Sequence, residues 1–285
     1  RPPTPRNNAF SRASRPQVYR DMPIVVLVHP YWASAAEIVA GALQDHDRAL
    51  VVGMPTFDKG SVQTLFQLSG GNYLKMTTGK WYTPSSRSIQ KDLQDADDPT
   101  AEIEDEDAAI GADGWPVPEE VVDTAGREQY RTDAGRVVYG GGGIVPGLIV
   151  RPDTLVASER EFYEIVSQAG NEYWDVIFRY AIDYARQHPD LQPGFPITPE
   201  MEQEVFDLLR AEGIEVTWEQ FRGAARLVDQ HLGGEIAGAK WGQDGKAQRA
   251  NRDDPLVRTA IELLRQAPSQ QELFSMAESR ASTLR

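Results

Sequence analysis

The first ordered pattern is IVVLV, Ile24–Val28, an unbroken apolar run of strand length that predicts a strand buried on both faces. SAAEIVAGALQDH follows. On a helical wheel Ile38, Val39, Ala42 and Leu43 share one face, while Glu37, Gln44 and Asp45 lie off it. ALVVG, Ala49–Gly53, predicts a second buried strand. Strand, helix and strand within about 30 residues imply a βαβ unit and an α/β core. SVQTLFQL (Ser61–Leu68) and YLKMTT (Tyr73–Thr78) flank the turn SGGN, so they predict a hairpin. KWYTPSSRSIQ (Lys80–Gln90) closes this block, and GRVVYGGGGIVPGLIV (Gly135–Val150) returns to strand character on both sides of a glycine run.

From about Ser158 the spacing changes to threes and fours, as in EFYEIVSQAGNEYWDVIFRYAIDYARQH. Several helix starts carry their own signals. Thr198-Pro199 and Asp254-Pro255 pair a capping residue with proline at the first helical position, and Thr217…Gln220 and Ser269…Glu272 read as capping boxes. The aromatic stripe here reads as core rather than as a cofactor site. The chain thus divides into a linker at 1–20, a core at 21–157 and a helical domain at 158–285. No internal repeat is visible.

Charge changes this picture in one place. The net charge of −14 is concentrated between Asp92 and Gly126, where thirteen acidic residues occur without a lysine or arginine. The remainder is close to neutral, with 30 acids against 29 bases. Residues 92–126 are therefore expected to be a disordered acidic insertion. No basic patch is left to bind nucleic acid. No apolar run approaches the roughly 20 residues needed to cross a bilayer. Without cysteine, disulfides and thiolate sites are excluded. The opening RPPTPRNNAF, without methionine or a signal segment, reads as the start of a piece of a longer or processed chain.

Two residues are candidates for chemistry. Ser34 stands at the mouth of the predicted helix, where a hydroxyl most commonly caps a free backbone N–H. A nucleophile there would have the helix's free N–H groups to favour an oxyanion. Lys59 follows the second strand. A lysine acting as general base must be neutral, which requires burial to lower its pKa from about 10.4, and Phe57 and Val62 are placed to exclude water. Asp58 opposes this if its carboxylate faces the amine. His29, His46, His188 and His231 have no metal-ligand spacing. His46 lies three turns along the helix from Ser34 and cannot complete a triad with it. Gly140–Gly143 leads into a strand and is not a phosphate loop.

Taken together, ASAAEIVAGALQDHDRALVVGMPTFDKGSVQ resembles the core motif of the C-terminal processing peptidases, or tail-specific proteases. Their serine and lysine stand 25 positions apart, as do Ser34 and Lys59, and Gln63 matches their glutamine four residues later. LKMTTGKWYTPSSRSIQ and GRVVYGGGGIVPGLIV resemble two later blocks of that core, and the helical half is similar to an extension found in some members. The resemblance implies a serine endopeptidase that cuts proteins near their C-termini through an acyl-enzyme. In it Ser34 is the nucleophile, Lys59 the base, Gln63 the residue orienting the lysine, and the Ala35 N–H half of the oxyanion hole. It implies a spiral α/β core related to crotonase and the Clp protease, followed by an all-α domain. It also implies no cofactor or metal, protein substrates gathered by an upstream PDZ domain, and a bacterial envelope or periplasmic setting. Open strand edges would favour a homo-oligomer. The sequence departs from family glycines at Tyr31, Asp58 and Ser86. Those departures keep a rival open, an inactive homologue that binds peptide tails as a scaffold. A crotonase-like hydratase or acyl-transfer enzyme is the other rival, disfavoured by the Ser–Lys spacing.

Overall fold

A computed structural model describes residues 18–90, 109–110, 116–117 and 124–283. Most of the expected linker, and most of the acidic insertion 92–126, lie outside these residues. Within that insertion β5 (Ala109–Ile110) and β6 (Pro116–Val117) are described as an antiparallel pair, together with residues 124–126.

The βαβ unit is formed by β1 (Val25–Val28), α1 (Ala35–Asp45) and β2 (Leu50–Gly53). β1 and β2 pair in parallel, with Val25 opposite Leu50 and Val28 opposite Gly53. β9 (Leu148–Ile149), the end of the GIVPGLIV run, adds in parallel to the other side of β2. The sheet order β1-β2-β9 makes β2 central, which is why all four of its residues are buried. Gly53 ends it at φ 134°, where a Cβ would lie 2.0 Å from the Val28 carbonyl oxygen, so only glycine fits.

β3 (Ser61–Gln67) and β4 (Tyr73–Lys80) form the expected hairpin, joined by a 3₁₀ turn at Ser69–Gly71. It pairs only with itself among the described residues, and Leu65, Phe66, Leu74 and Met76 are exposed on it. A bulge between Val62 and Gln63 shifts its register next to Lys59. β7 (Gln129–Arg131) and β8 (Val137–Tyr139) form a small antiparallel pair before the glycine run.

The helical region comprises α2 (Ala157–Gln168), α3 (Asn171–Gln187), α4 (Pro199–Ala211), α5 (Trp218–Gly223), α6 (Ala225–Asn251), α7 (Pro255–Gln266) and α8 (Gln270–Thr283). The four start signals are all used. Thr198 and Thr217 hydroxyls accept from Met201 and Gln220 N–H, Asp254 from Leu256 and Val257, and Ser269 from Glu272. The helices pack in two places. α2–α6 enclose their own core around Phe162, Tyr173, Ile177, Phe221 and Leu232. The stripe on α3 is split between this core and solvent, because Trp174 and Phe178 are exposed while Tyr173 is buried. α7 and α8 instead cover the β1-β2-β9 sheet, where Leu263 and Leu273 meet Leu50, Val52 and Leu148. The Gln270 side chain accepts the Ile24 N–H at 2.7 Å, which fastens α8 to the start of β1.

α6 is two limbs. Gly242 at φ 72° breaks it, and the chain turns back so that Arg249 lies against Gly233 and Lys246 against Gly238. This fold-back encloses two groups of opposite pH sensitivity. His231 accepts or donates at Nδ1 to the Tyr173 hydroxyl at 2.9 Å, and burial, with the nearby Lys246 charge, lowers its pKa to about 4. Asp229 is raised to about 6 by burial and by the Glu202 carboxylate, against the pull of Arg249 and Arg222. The signs follow by linkage. His231 contributes stability that is complete above its unfolded value of 6.5 and is lost as pH falls towards 4; Asp229 contributes stability that is present below 3.8 and lost as pH rises through 6. The two contributions run in opposite directions between pH 6 and 4 and so offset one another. Chemical denaturation at pH 4.5 and 7 should therefore give the single variants slopes that depart from wild type in opposite directions. Asp229→Asn should lose stability on acidification and His231→Phe should gain it. Parallel slopes in the two variants would refute the assignment.

Candidate functional site

Ser34 and Lys59 lie on the segments that follow β1 and β2, and their backbones meet on Glu37. Ser34 occupies the N-cap position of α1 at φ 58° and ψ −114°, a conformation costly for a residue with a Cβ. Its hydroxyl makes no capping hydrogen bond and the residue is exposed. The expected N-cap role is therefore not what its side chain does. The Ala35 N–H is one of the first-turn donors that no helical carbonyl reaches.

α1 is turned the other way round from the sequence expectation. Glu37, Ala40, Gly41, Gln44 and Asp45 are buried, whereas Ile38 and Val39 are exposed. The reason is that each buried polar group has found partners. The Glu37 carboxylate, with no exposed surface, accepts four donors. Its Oε1 takes the Thr56 hydroxyl at 2.6 Å and the Asp58 N–H at 2.7 Å, and its Oε2 takes the Ser34 N–H at 2.8 Å and the Lys59 N–H at 2.9 Å. One carboxylate oxygen thus joins the backbone of Ser34 to that of Lys59. Satisfied in this way, a buried carboxylate avoids the desolvation cost that hydropathy patterns assume.

The Lys59 loop is held from every side. Phe57 N–H donates to the Trp32 carbonyl at 3.1 Å, and Gly60 N–H to the Gln90 side chain at 3.1 Å. Asp58 sits at φ 85° and Ser86 at φ 68°, so two of the three departures from family glycines fall where the backbone is left-handed. Tyr31 is not among the positive-φ residues. Thr56 extends the network, accepting the Ile144 N–H at 2.8 Å. Gly143 packs so closely on Thr56 that a Cβ would lie 2.1 Å from its carbonyl oxygen.

Behind the helix lies a second buried cluster. Arg87, fully buried, donates to Asp45 Oδ1 at 2.8 Å, to Gln44 Oε1 at 2.7 Å and to the Tyr139 carbonyl at 2.7 Å. The Ser85 hydroxyl and N–H also donate to Asp45, at 2.7 and 3.1 Å. Burial pushes the Asp45 carboxyl up, but hydrogen bonding from Thr83 and Ser85 and the Arg87 charge together hold it below its ordinary value. Burial likewise lowers Arg87. The YTPSSRSIQ segment is thereby locked to the helix that begins at Ser34.

The structure brings the Ser34 and Lys59 backbones together but forms no hydrogen bond between Ser34 Oγ and Lys59 Nζ among the described residues. Lys59 is exposed, as are Phe57 and Val62, so the water exclusion expected of that pair is not provided here. Gln63 lies on β3 just past the bulge, opposite Thr77, and is also exposed. His46, at the far end of α1, pairs with Asp133 at 2.9 Å. Glu37, Thr56 and Arg87 were missed by reading for reactive groups. The Ser34-x-x-Glu37 spacing of a capping box is the one sequence signal for Glu37.

Residues 2–98 match peptidase family S41. The chain is similar to a carboxy-terminal-processing protease of Bartonella bacilliformis, 54% identical over 70 residues, which are 25% of this chain and 16% of that protein. A carboxyl-terminal-processing protease of Synechocystis is 52% identical over 71 residues, 25% of this chain and 17% of the relative. The chloroplastic carboxyl-terminal-processing peptidase 2 of Arabidopsis thaliana is 49% identical over 69 residues, 24% and 13%. The matched stretch spans about a sixth of the length of these relatives.

Proposed function

We propose, for a chain whose residues 2–98 match peptidase family S41, that it hydrolyses protein substrates near their C-termini through Ser34 and Lys59. The observation that carries this reading is the Glu37 bridge, which ties the nucleophile and base segments to one oxygen while leaving the Ser34 hydroxyl uncommitted. In the proposed reaction the neutral Lys59 amine takes the Ser34 Oγ proton as Oγ bonds to the scissile carbonyl carbon. The Ala35 N–H stabilises the oxyanion. The C–N bond then breaks, the proton passes from Lys59 to the leaving amine, and water hydrolyses the acyl-enzyme by the reverse proton route. Gln63 orients the lysine. Substrate lying over Phe57 and Val62 excludes water from Lys59.

The fold that goes with this reading is the crotonase- and Clp-related spiral core, supported by the parallel β1-β2-β9 sheet and its covering helices. Protein tails as substrates, a PDZ domain that gathers them and an envelope setting belong to the same proposal. Among the described residues no helix is long and apolar enough to cross a membrane.

The test is a serine-directed fluorophosphonate probe with the adduct located by mass spectrometry. Labelling is expected on Ser34, absent from Ser34→Ala, and slowed by roughly a hundred- to ten-thousandfold in Lys59→Ala, the usual weight of a general base. Equal labelling of Ser34→Ala would discard the nucleophile. An unlabelled but folded wild type that still binds peptide tails would favour the scaffold instead.

A further inference from the structure

We infer that Trp81 is a positioning residue for Lys59, acting through the lysine's own carbonyl; the inference rests on the reading of Lys59 as the base. Trp81 follows β4 and makes two bonds to the Lys59 loop. Its indole Nε1–H donates to the Lys59 carbonyl at 3.1 Å, and its backbone N–H to the Gly60 carbonyl at 3.0 Å. The ring also packs against the buried cluster of Val28, Ala40, Val51, Ile89 and Ile144. Trp81 therefore connects the interior beneath α1 directly to the peptide that carries the amine.

The connection has a specific task. Lys59 has a long, exposed side chain, which can be aimed only as well as its backbone is fixed. That backbone follows Asp58 at φ 85°, a left-handed conformation that Asp tolerates at a cost and would leave if released. Glu37 holds the Lys59 N–H and the indole holds its carbonyl, so both ends of the residue are held. Phenylalanine keeps an aromatic ring against that cluster, though a smaller one, and has no donor for the carbonyl. The indole N–H is what converts a packed ring into a brace.

The experiment compares Trp81→Phe, Asp58→Gly and the double variant in this chain, using an unstructured protein substrate, beside Lys59→Ala. Trp81→Phe is expected to lower kcat roughly tenfold, as misaimed catalytic groups do, with KM changed less than about twofold. Glycine at 58 adopts the left-handed backbone without strain, so in the Asp58→Gly background the Trp81→Phe loss should shrink to about threefold or less. A ring that only packs would give equal losses in both backgrounds, and that result, or an unchanged kcat in Trp81→Phe, overturns the inference. Full activity in Lys59→Ala would instead remove the base assignment beneath it. Should Trp81→Phe fold poorly, the Asp58→Gly pair still gives the comparison at the temperature where both are folded by circular dichroism.

Discussion

Replacing Glu37 by glutamine, a change of one heavy atom, should reduce the proposed Ser34-dependent turnover by at least about a hundredfold, the scale of a displacement near 1 Å in an aligned site. Both oxygens of Glu37 accept two donors each. A carboxamide keeps one acceptor and turns the other position into a donor. If the amide nitrogen replaces Oε2 it faces the N–H groups of Ser34 and Lys59; if it replaces Oε1 it faces Thr56 and the Asp58 N–H. Neither orientation satisfies the site, so one pair of strained segments must move apart. Glu37→Ala leaves all four donors without an acceptor, and at about 1–3 kcal/mol for each buried unmet group the loss of stability should also be large. The check is kcat and kcat/KM on an unstructured protein, with urea denaturation in parallel. Turnover of Glu37→Gln within threefold of wild type would show that the bridge does not position the pair.

Arg87→Met should cost about 3–5 kcal/mol, the range for removing one partner of a buried ion pair. Both Arg87 and Asp45 side chains are wholly buried, and the substitution leaves the Asp45 carboxylate without its counter-charge and the Tyr139 carbonyl and Gln44 without their donor. Asp45→Leu combined with Arg87→Met should recover part of the loss, because the stranded charge is gone. The pH dependence has a definite sign. Asp45 is held below its ordinary value of 3.8, so the contribution it makes in the fold is complete above that pH and disappears as pH falls through the lower folded value. Denaturation midpoints at pH 7 and well below 3.8 should therefore separate wild type from Arg87→Met widely at the first and less at the second. A constant gap would mean that the Asp45 charge is not what the arginine stabilises.

These two residues mark the boundary between what was legible and what was not. Strands β1 and β2, the hairpin and the helix caps of α4, α5, α7 and α8 follow from local chemistry: unbroken apolar runs, a Gly-Gly turn, and hydroxyl or carboxylate caps before proline or glutamine. Each depends on residues within a few positions of one another, so the sequence is sufficient for them. The break of α6 at Gly242 had a local sign in its glycine. Its fold-back did not, because it depends on Arg249 and Gly233 meeting across the turn.

The face of α1 could not be read in the same way. Periodicity assigned Ile38 and Val39 to the interior, and the chain buries Glu37 and Asp45 instead. Besides the local Ser34 N–H, burial of these carboxylates depends on donors 19 to 42 residues away, namely Thr56, Asp58, Lys59 and Arg87, which no helical wheel includes. The sequence by itself singled out Ser34 and Lys59 as candidates and set them 25 positions apart. Only the tertiary structure decided that their backbones meet on one oxygen, because a shared hydrogen bond depends on how β2 and the loop after it return to α1.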